Sequence, residues 1–186
     1  KGDSLEYYKI HANIERFNHN RAKANEFLLK GYRMDSSLSL DLAQNYWYLG
    51  QKKEALKYFK IAFKTWEEEG NLQLWELDDF GYVYYINGYK EEAEECFKEA
   101  MEYFQEEAHL GRYRSEQYFT YYDMARIYAF RGDREQAIEN LRIYDQKEIM
   151  LRWQVVLINN DPFFSDIRDE TEFLQILSDV EAKYQA

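Results

Sequence analysis

Three aspartates recur at one place in this chain. Asp41, Asp79 and Asp123 each lie two residues before a small residue, namely Ala43, Gly81 and Ala125. Large rings stand close to them: Trp47 and Tyr48, then Trp75, Tyr82 and Tyr85, then Phe119 and Tyr122. Carboxylates attract Lys or Arg and set register. Trp and Tyr supply most of the affinity at protein interfaces. The pattern therefore suits binding of a basic, apolar segment better than it suits bond making. The same residues admit a plainer reading, in which the carboxylates are solvated and paired with cations such as Arg126. About half of the rings would then fill the core.

Catalysis finds little to stand on. The histidines are His11, His19 and His109, and no pair has the i, i+4 spacing of a helical zinc site. There is no Gly-rich phosphate loop. Glu91, Glu92, Glu94 and Glu95 form a charge run that reads as a solvated helix face. The residues thus imply no enzyme, no catalytic group, no metal and no cofactor.

Composition narrows the partners. The net charge of −11 repels phosphate backbones and anionic membranes, and its natural complement is a basic protein or peptide. No apolar run approaches the ~18 residues that span a bilayer. Residues 1–30 lack the apolar stretch of a signal peptide. The chain begins at Lys1 rather than Met, which reads as a processed protein or a segment of a longer one. It reads as soluble, with the cytoplasm favoured over the periplasm. Cys96 has no partner for an internal disulfide, and its acidic neighbours favour a packed thiol over a reactive one.

The elements that must position these residues follow from a repeated rhythm. Ala43, Tyr46, Gly50, Ala55, Phe59 and Ala62 are matched by Gly81, Tyr84, Gly88, Ala93, Phe97 and Ala100. They are matched again by Ala125, Tyr128, Gly132, Ala137, Leu141 and Tyr144. Ala12, Ala24, Leu28 and Gly31 carry a weaker copy, with Glu15 and His19 in place of Tyr and Gly. Such self-similarity marks stacked units that bury their cores against one another. One proline and eight glycines in 186 residues argue against an all-β fold. Each unit reads as two helices, in the second unit Ser37 to Leu49 and Lys52 to Glu68. The glycine ends the first helix, and the alanines let the pair approach closely. Surplus length at 66–75 and 104–117 is absorbed by longer second helices and loops. Asp161-Pro162 opens a tail, Asp169 and Glu172 resemble a capping box, and Phe173, Leu174, Ile176, Leu177 and Val180 give the last helix an apolar face.

This rhythm resembles the tetratricopeptide repeat. The resemblance implies an all-α, right-handed α-solenoid of about four helical hairpins. The repeats would span about 5–36, 37–69, 74–109 and 118–146, with a helical cap at 147–186, in one domain. The tail from Asp161 through Phe163, Phe164, Ile167, Arg168 and Phe173 to Leu177 is similar to segments that follow such arrays in bacterial regulators, kinases and cyclases. A place in a larger bacterial regulatory protein follows from that likeness. The family's groove is lined by first helices, which implies Lys9, Asn13, Arg16 and Phe17. It implies Leu40, Asp41, Gln44, Trp47 and Tyr48 from the second unit, and Trp75, Asp78, Asp79, Tyr82 and Tyr85 from the third. Phe119, Tyr122, Asp123, Arg126 and Phe130 come from the fourth. Lys9 and Asn13 match half of the clamp by which one subgroup grips a peptide's terminal carboxylate. Asp41, Trp75 and Asp79 break the other half, so that mode is rejected. Two readings stay open: a groove that binds a protein or peptide, and a spacer or self-associating segment, a homo-oligomer, with no groove ligand.

Overall fold

The computed structural model describes residues 4–18, 20–116, 118–148 and 150–185. His19 lies outside the described residues. Those residues form α-helices, short 3-10 turns and loops, and no strand occurs among them. The fold is an all-α helical repeat.

The chain forms two compact units, Lys1–Cys96 and Phe97–Ala186. The first holds α1 (Ser4–Phe17), α2 (Arg21–Tyr32), α3 (Ser39–Tyr48), α4 (Lys52–Glu69) and α5 (Leu77–Ile86), and α6 (Lys90–His109) starts in it. The second holds the rest of α6, then α7 (Tyr113–Glu116), α8 (Phe119–Phe130), α9 (Arg134–Tyr144), α10 (Arg152–Asn160) and α11 (Thr171–Gln185). Within the first unit α1 packs on α2, α3 on α4, α2 on α3, and α4 on α5. Within the second, α8 packs on α9, and α10 and α9 pack on α11.

The recurrent Tyr-x3-Gly spacing has a backbone cause. Gly50, Gly88 and Gly132 take φ of 71°, 90° and 80°. Side-chain-bearing residues rarely adopt that left-handed conformation. It turns the next N–H back onto the tyrosine five residues earlier. Gln51 donates to the Tyr46 carbonyl at 2.9 Å, Tyr89 to that of Tyr84 at 3.1 Å, and Asp133 to that of Tyr128 at 2.9 Å. Each first helix is thus closed by the same hydrogen bond.

The small residues mark close approaches. Ala12, Ala24, Ala43, Ala55, Ala62, Ala93, Ala100, Ala125 and Ala137 are all buried. Gly31 stands where Ala62 and Ala100 stand, and a Cβ there would lie 2.7 Å from Leu38 Cδ1. The core of the first unit gathers Leu28, Leu42, Leu56, Tyr58, Phe59, Phe80 and Val83 around those alanines. In the second unit Tyr122, Ile138, Leu141 and Tyr144 of α8 and α9 join Met150, Ile158, Phe164, Ile167, Phe173, Ile176 and Val180.

Two helix starts differ from the sequence expectation. The helix expected from Ser37 opens as a 3-10 turn, Ser36–Leu38, because the Asp35 carboxylate accepts the Ser37 N–H at 2.9 Å. The expected cap at Asp169 is displaced by one residue. Buried Ile167 donates to the Phe164 carbonyl, and Glu170 donates to that of Ile167. That turn carries the chain on to Glu170, whose carbonyl accepts the Leu174 N–H at 3.0 Å.

Candidate functional site

The expected groove residues of the first unit lie on α3, α5 and the 3-10 turn Leu74–Glu76. On α3, Asp41, Gln44, Trp47 and Tyr48 fall on one face by helical spacing. Arg16 of α1 reaches that face and donates to Asp41 twice, to Oδ1 at 2.7 Å and to the backbone carbonyl at 2.8 Å. Gln44 Nε2 donates to Glu76 Oε2 at 3.3 Å. Trp47 stacks on Tyr48 at 5.5 Å and meets Tyr82 of α5 at 5.4 Å. The Arg21 guanidinium sits 3.9 Å above the Tyr48 ring. Burial lowers the Arg21 pKa and the neighbouring Tyr48 opposes that fall.

Exposure sorts these rings. Tyr48, Trp75 and Tyr85 are exposed, while Trp47 and Tyr82 are half-buried. The aspartates separate as well: Asp78 is buried at 1 % exposure, whereas Asp79 and Asp41 are half-buried. Lys9 is half-buried and Asn13 and Phe17 are exposed on α1. A polar cluster that the sequence did not signal supports α3 from behind. Buried Asn45 donates to Asn25 Oδ1 and to the Arg21 carbonyl, both at 2.8 Å, and accepts from Arg21 Nη1 at 3.2 Å.

The second unit treats the corresponding face of α8 differently. Tyr122, Asp123 and Arg126 are buried, and Phe119 and Phe130 are half-buried. The chain's own segment Asp161–Phe164 lies against them. Tyr122 Oη donates to Asp161 Oδ2 at 2.7 Å. Arg126 Nε is 2.9 Å from the same oxygen, and its guanidinium carbon sits 4.2 Å over the Phe163 ring. Tyr122 also meets Phe164 edge-on at 5.6 Å. Asp123 is engaged by Arg114 and lies 4.0 Å from Arg126 Nη1. Phe119 stacks on Trp153 of α10 at 5.9 Å. Asp161 performs the capping expected of it, accepting the Phe163 N–H at 3.0 Å, and in addition holds the α8 face. Its second role had no signal in the local sequence, which showed only an Asp-Pro helix start.

Two buried phenols give this unit a pH dependence. Burial pushes Tyr122 well above the ordinary tyrosine range, and the Asp161 carboxylate adds to it. Burial also raises Tyr144, against the opposing hydrogen bond from Gln154. Both groups hold their protons more tightly in the fold than in the unfolded chain. Their contribution is therefore whole below the unfolded value of about 10, and is lost as pH rises above it toward the folded values. The melting temperature is expected to fall as pH climbs past that value. The double variant Tyr122→Phe, Tyr144→Phe should flatten the fall. An equally steep fall in the double variant would place the effect on other tyrosines.

Among the described residues, no cluster of His, Cys, Asp and Glu could hold a metal ion. No helix among them is long and apolar enough to cross a membrane.

Comparison with known proteins bears on the repeats themselves. Residues 36–64 and 79–106 each match the family model of the tetratricopeptide repeat. No curated protein matches the chain. Tetratricopeptide repeats generally mediate protein–protein interaction and are typically non-enzymatic scaffolds. Both matches are in register with the hairpins α3–α4 and α5–α6, and these two hairpins are tetratricopeptide repeats.

Proposed function

We propose that the first unit docks an extended segment of a partner protein on the face built by α3 and α5, and that the chain performs no catalysis. The observation that carries this reading is the ring cluster of Trp47, Tyr48 and Tyr82, with Tyr85 exposed on α5 and Trp75 exposed on the 3-10 turn before it. Exposed Trp and Tyr on a rigid helix pair are the anchors that interfaces favour. The second unit supports it by analogy, since the corresponding α8 face receives the chain's own Asp161–Phe164. The partner segment should carry Lys or Arg beside an apolar anchor. The cation would meet Asp79 of α5 and Glu76 of the turn before it, the carboxylates that adjoin Trp75 and Tyr82 in the sequence. The likeness of residues 161–177 to tails of bacterial regulators supports a place within a larger regulatory protein.

The alternative, a spacer with no ligand on this face, draws on the Arg16–Asp41 pair, which satisfies one expected carboxylate internally. Selection of peptides displayed against the purified chain separates the two. Selected peptides should combine Lys or Arg with a neighbouring aromatic or aliphatic residue, and Trp47→Ala should weaken them by at least ~30-fold, as a hot-spot loss of ~2 kcal/mol requires. Asp79→Lys should slow association, and added salt should slow it too. Charge reversal of Glu91 and Glu92, exposed on α6, should leave binding unchanged. Equal losses from both reversals would mean that net charge alone matters, and would sink the reading.

A further inference from the structure

Lys147 and Trp153 share one ring in the second unit. Phe119 opens α8 directly after Tyr118, whose φ of 63° lies in the left-handed region that residues with side chains rarely adopt. Trp153 of α10 stacks on the Phe119 ring at 5.9 Å, with the planes 18° apart. The Lys147 ammonium lies 5.0 Å from the centre of the same ring, within cation–π range. Lys147 is half-buried, and it makes no ion pair with any described residue. Other cations of this unit are matched: Arg114 by Asp123, Arg126 by Asp161 and Lys183 by Asp145. In a chain with 35 acids, a partly desolvated lysine without a carboxylate is a charge left for a partner to meet.

α10 makes the rest of the surface. Trp153, Val156 and Asn160 follow at three and four residues along one helix face. All three are exposed, Trp153 by 52 % and Val156 by 42 %, and Leu151 before the helix is exposed as well. Another side of α10 is taken up by α11, where Asn159 donates to Glu181 Oε1 at 3.3 Å. The start of α10 is fixed from below. Buried Gln154 accepts the Leu151 N–H at 2.9 Å and donates to Tyr144 Oη of α9 at 3.1 Å. A ring anchored on such a base loses little freedom on binding. No acid stands between Glu148 and Asp161 in the sequence, and exposed Arg152 adjoins Trp153. The surface is therefore apolar with a cationic edge, on a chain whose net charge is −11.

We propose that this surface docks a segment of a partner protein in which Asp or Glu stands beside an aromatic or large aliphatic residue. The apolar side chain packs on Trp153, Val156 and Leu151, and the carboxylate meets Lys147. Lys147 and Trp153 lie 5.0 and 5.9 Å from one ring, so neighbouring residues of the segment reach both. A basic segment of the kind proposed for the first unit would bring like charge to Lys147 and Arg152. The site belongs to the second unit alone, and it does not rest on the function proposed for the first.

The test selects displayed peptides against the 186-residue chain carrying Trp47→Ala, which opens the ring cluster of the first unit. Enriched peptides should pair Asp or Glu with Phe, Trp or Leu. An enriched peptide, labelled with fluorescein and followed by anisotropy, should bind at least tenfold more weakly to Trp153→Ala and to Lys147→Glu, with the helical circular dichroism of both unchanged. Lys147→Arg should retain the affinity, because it keeps a cation over the ring, and added salt should lower it. Asp79→Lys, in the first unit, should leave it unchanged. Enrichment of basic peptides alone, a peptide indifferent to either Trp153→Ala or Lys147→Glu, or no enriched peptide at all would overturn the proposal.

Discussion

Asp161→Ala is expected to destabilise the second unit by about 3–5 kcal/mol, the loss typical when one partner of a buried ion pair is removed. Three groups depend on this carboxylate. Tyr122 donates its hydroxyl proton to it, the Arg126 guanidinium lies 2.9 Å away, and the Phe163 N–H is capped by it. Asp161 and Arg126 are both buried, so water cannot replace the lost contact. Asp161→Asn keeps one acceptor oxygen, enough for Tyr122 or for the Phe163 N–H but not for both, and removes the charge, so its cost should be smaller than that of alanine while still measurable. Hydrogen exchange followed by mass spectrometry resolves the effect locally. Amides of α8 and of residues 161–167 should exchange much faster in the alanine variant, and those of α3 and α4 should not. Unchanged protection of α8 would mean that the apolar contacts of Phe163 and Phe164 hold the segment without Asp161.

Phe59→Ala is expected to cost the first unit about 3–5 kcal/mol, the range for emptying a buried aromatic site. The ring is fully buried and meets Phe80 at 4.5 Å in an edge-on contact. It joins the second helix of one hairpin to the first helix of the next, so its removal opens the seam between α4 and α5. Tyr85→Ala serves as the contrast, because that ring is exposed and belongs to the proposed docking face. It should leave urea stability within about half a kcal/mol, as surface substitutions usually do. A loss below about 1 kcal/mol for Phe59→Ala would show that the seam collapses to fill the gap.

The hairpins were legible because their determinants are local and recur. A glycine in the left-handed region five residues before an alanine states where one helix stops and where the next is touched. Gly50 and Ala55 say this as clearly in the sequence as φ of 71° and full burial say it in the fold. In the second unit the second helix was legible for the same reason: Lys52–Glu69 differs from the expected span by one residue. What the sequence did not disclose depends on partners far apart in the chain. Arg16 meets Asp41 across 25 residues, Asn25 meets Asn45 across 20, and Tyr122 meets Asp161 across 39. No spacing rule encodes such pairs, because side-chain direction and helix packing bring them together. Asp41, Asp79 and Asp123 read alike in sequence, yet Asp123 is buried against Arg114 and Arg126 while Asp79 is half-buried beside Tyr82 on α5. The repeat, its turns and its close contacts were thus determined by short-range backbone chemistry. Tertiary packing alone decided which of the repeated carboxylates and rings remain at the surface, because burial depends on what the rest of the chain lays over them.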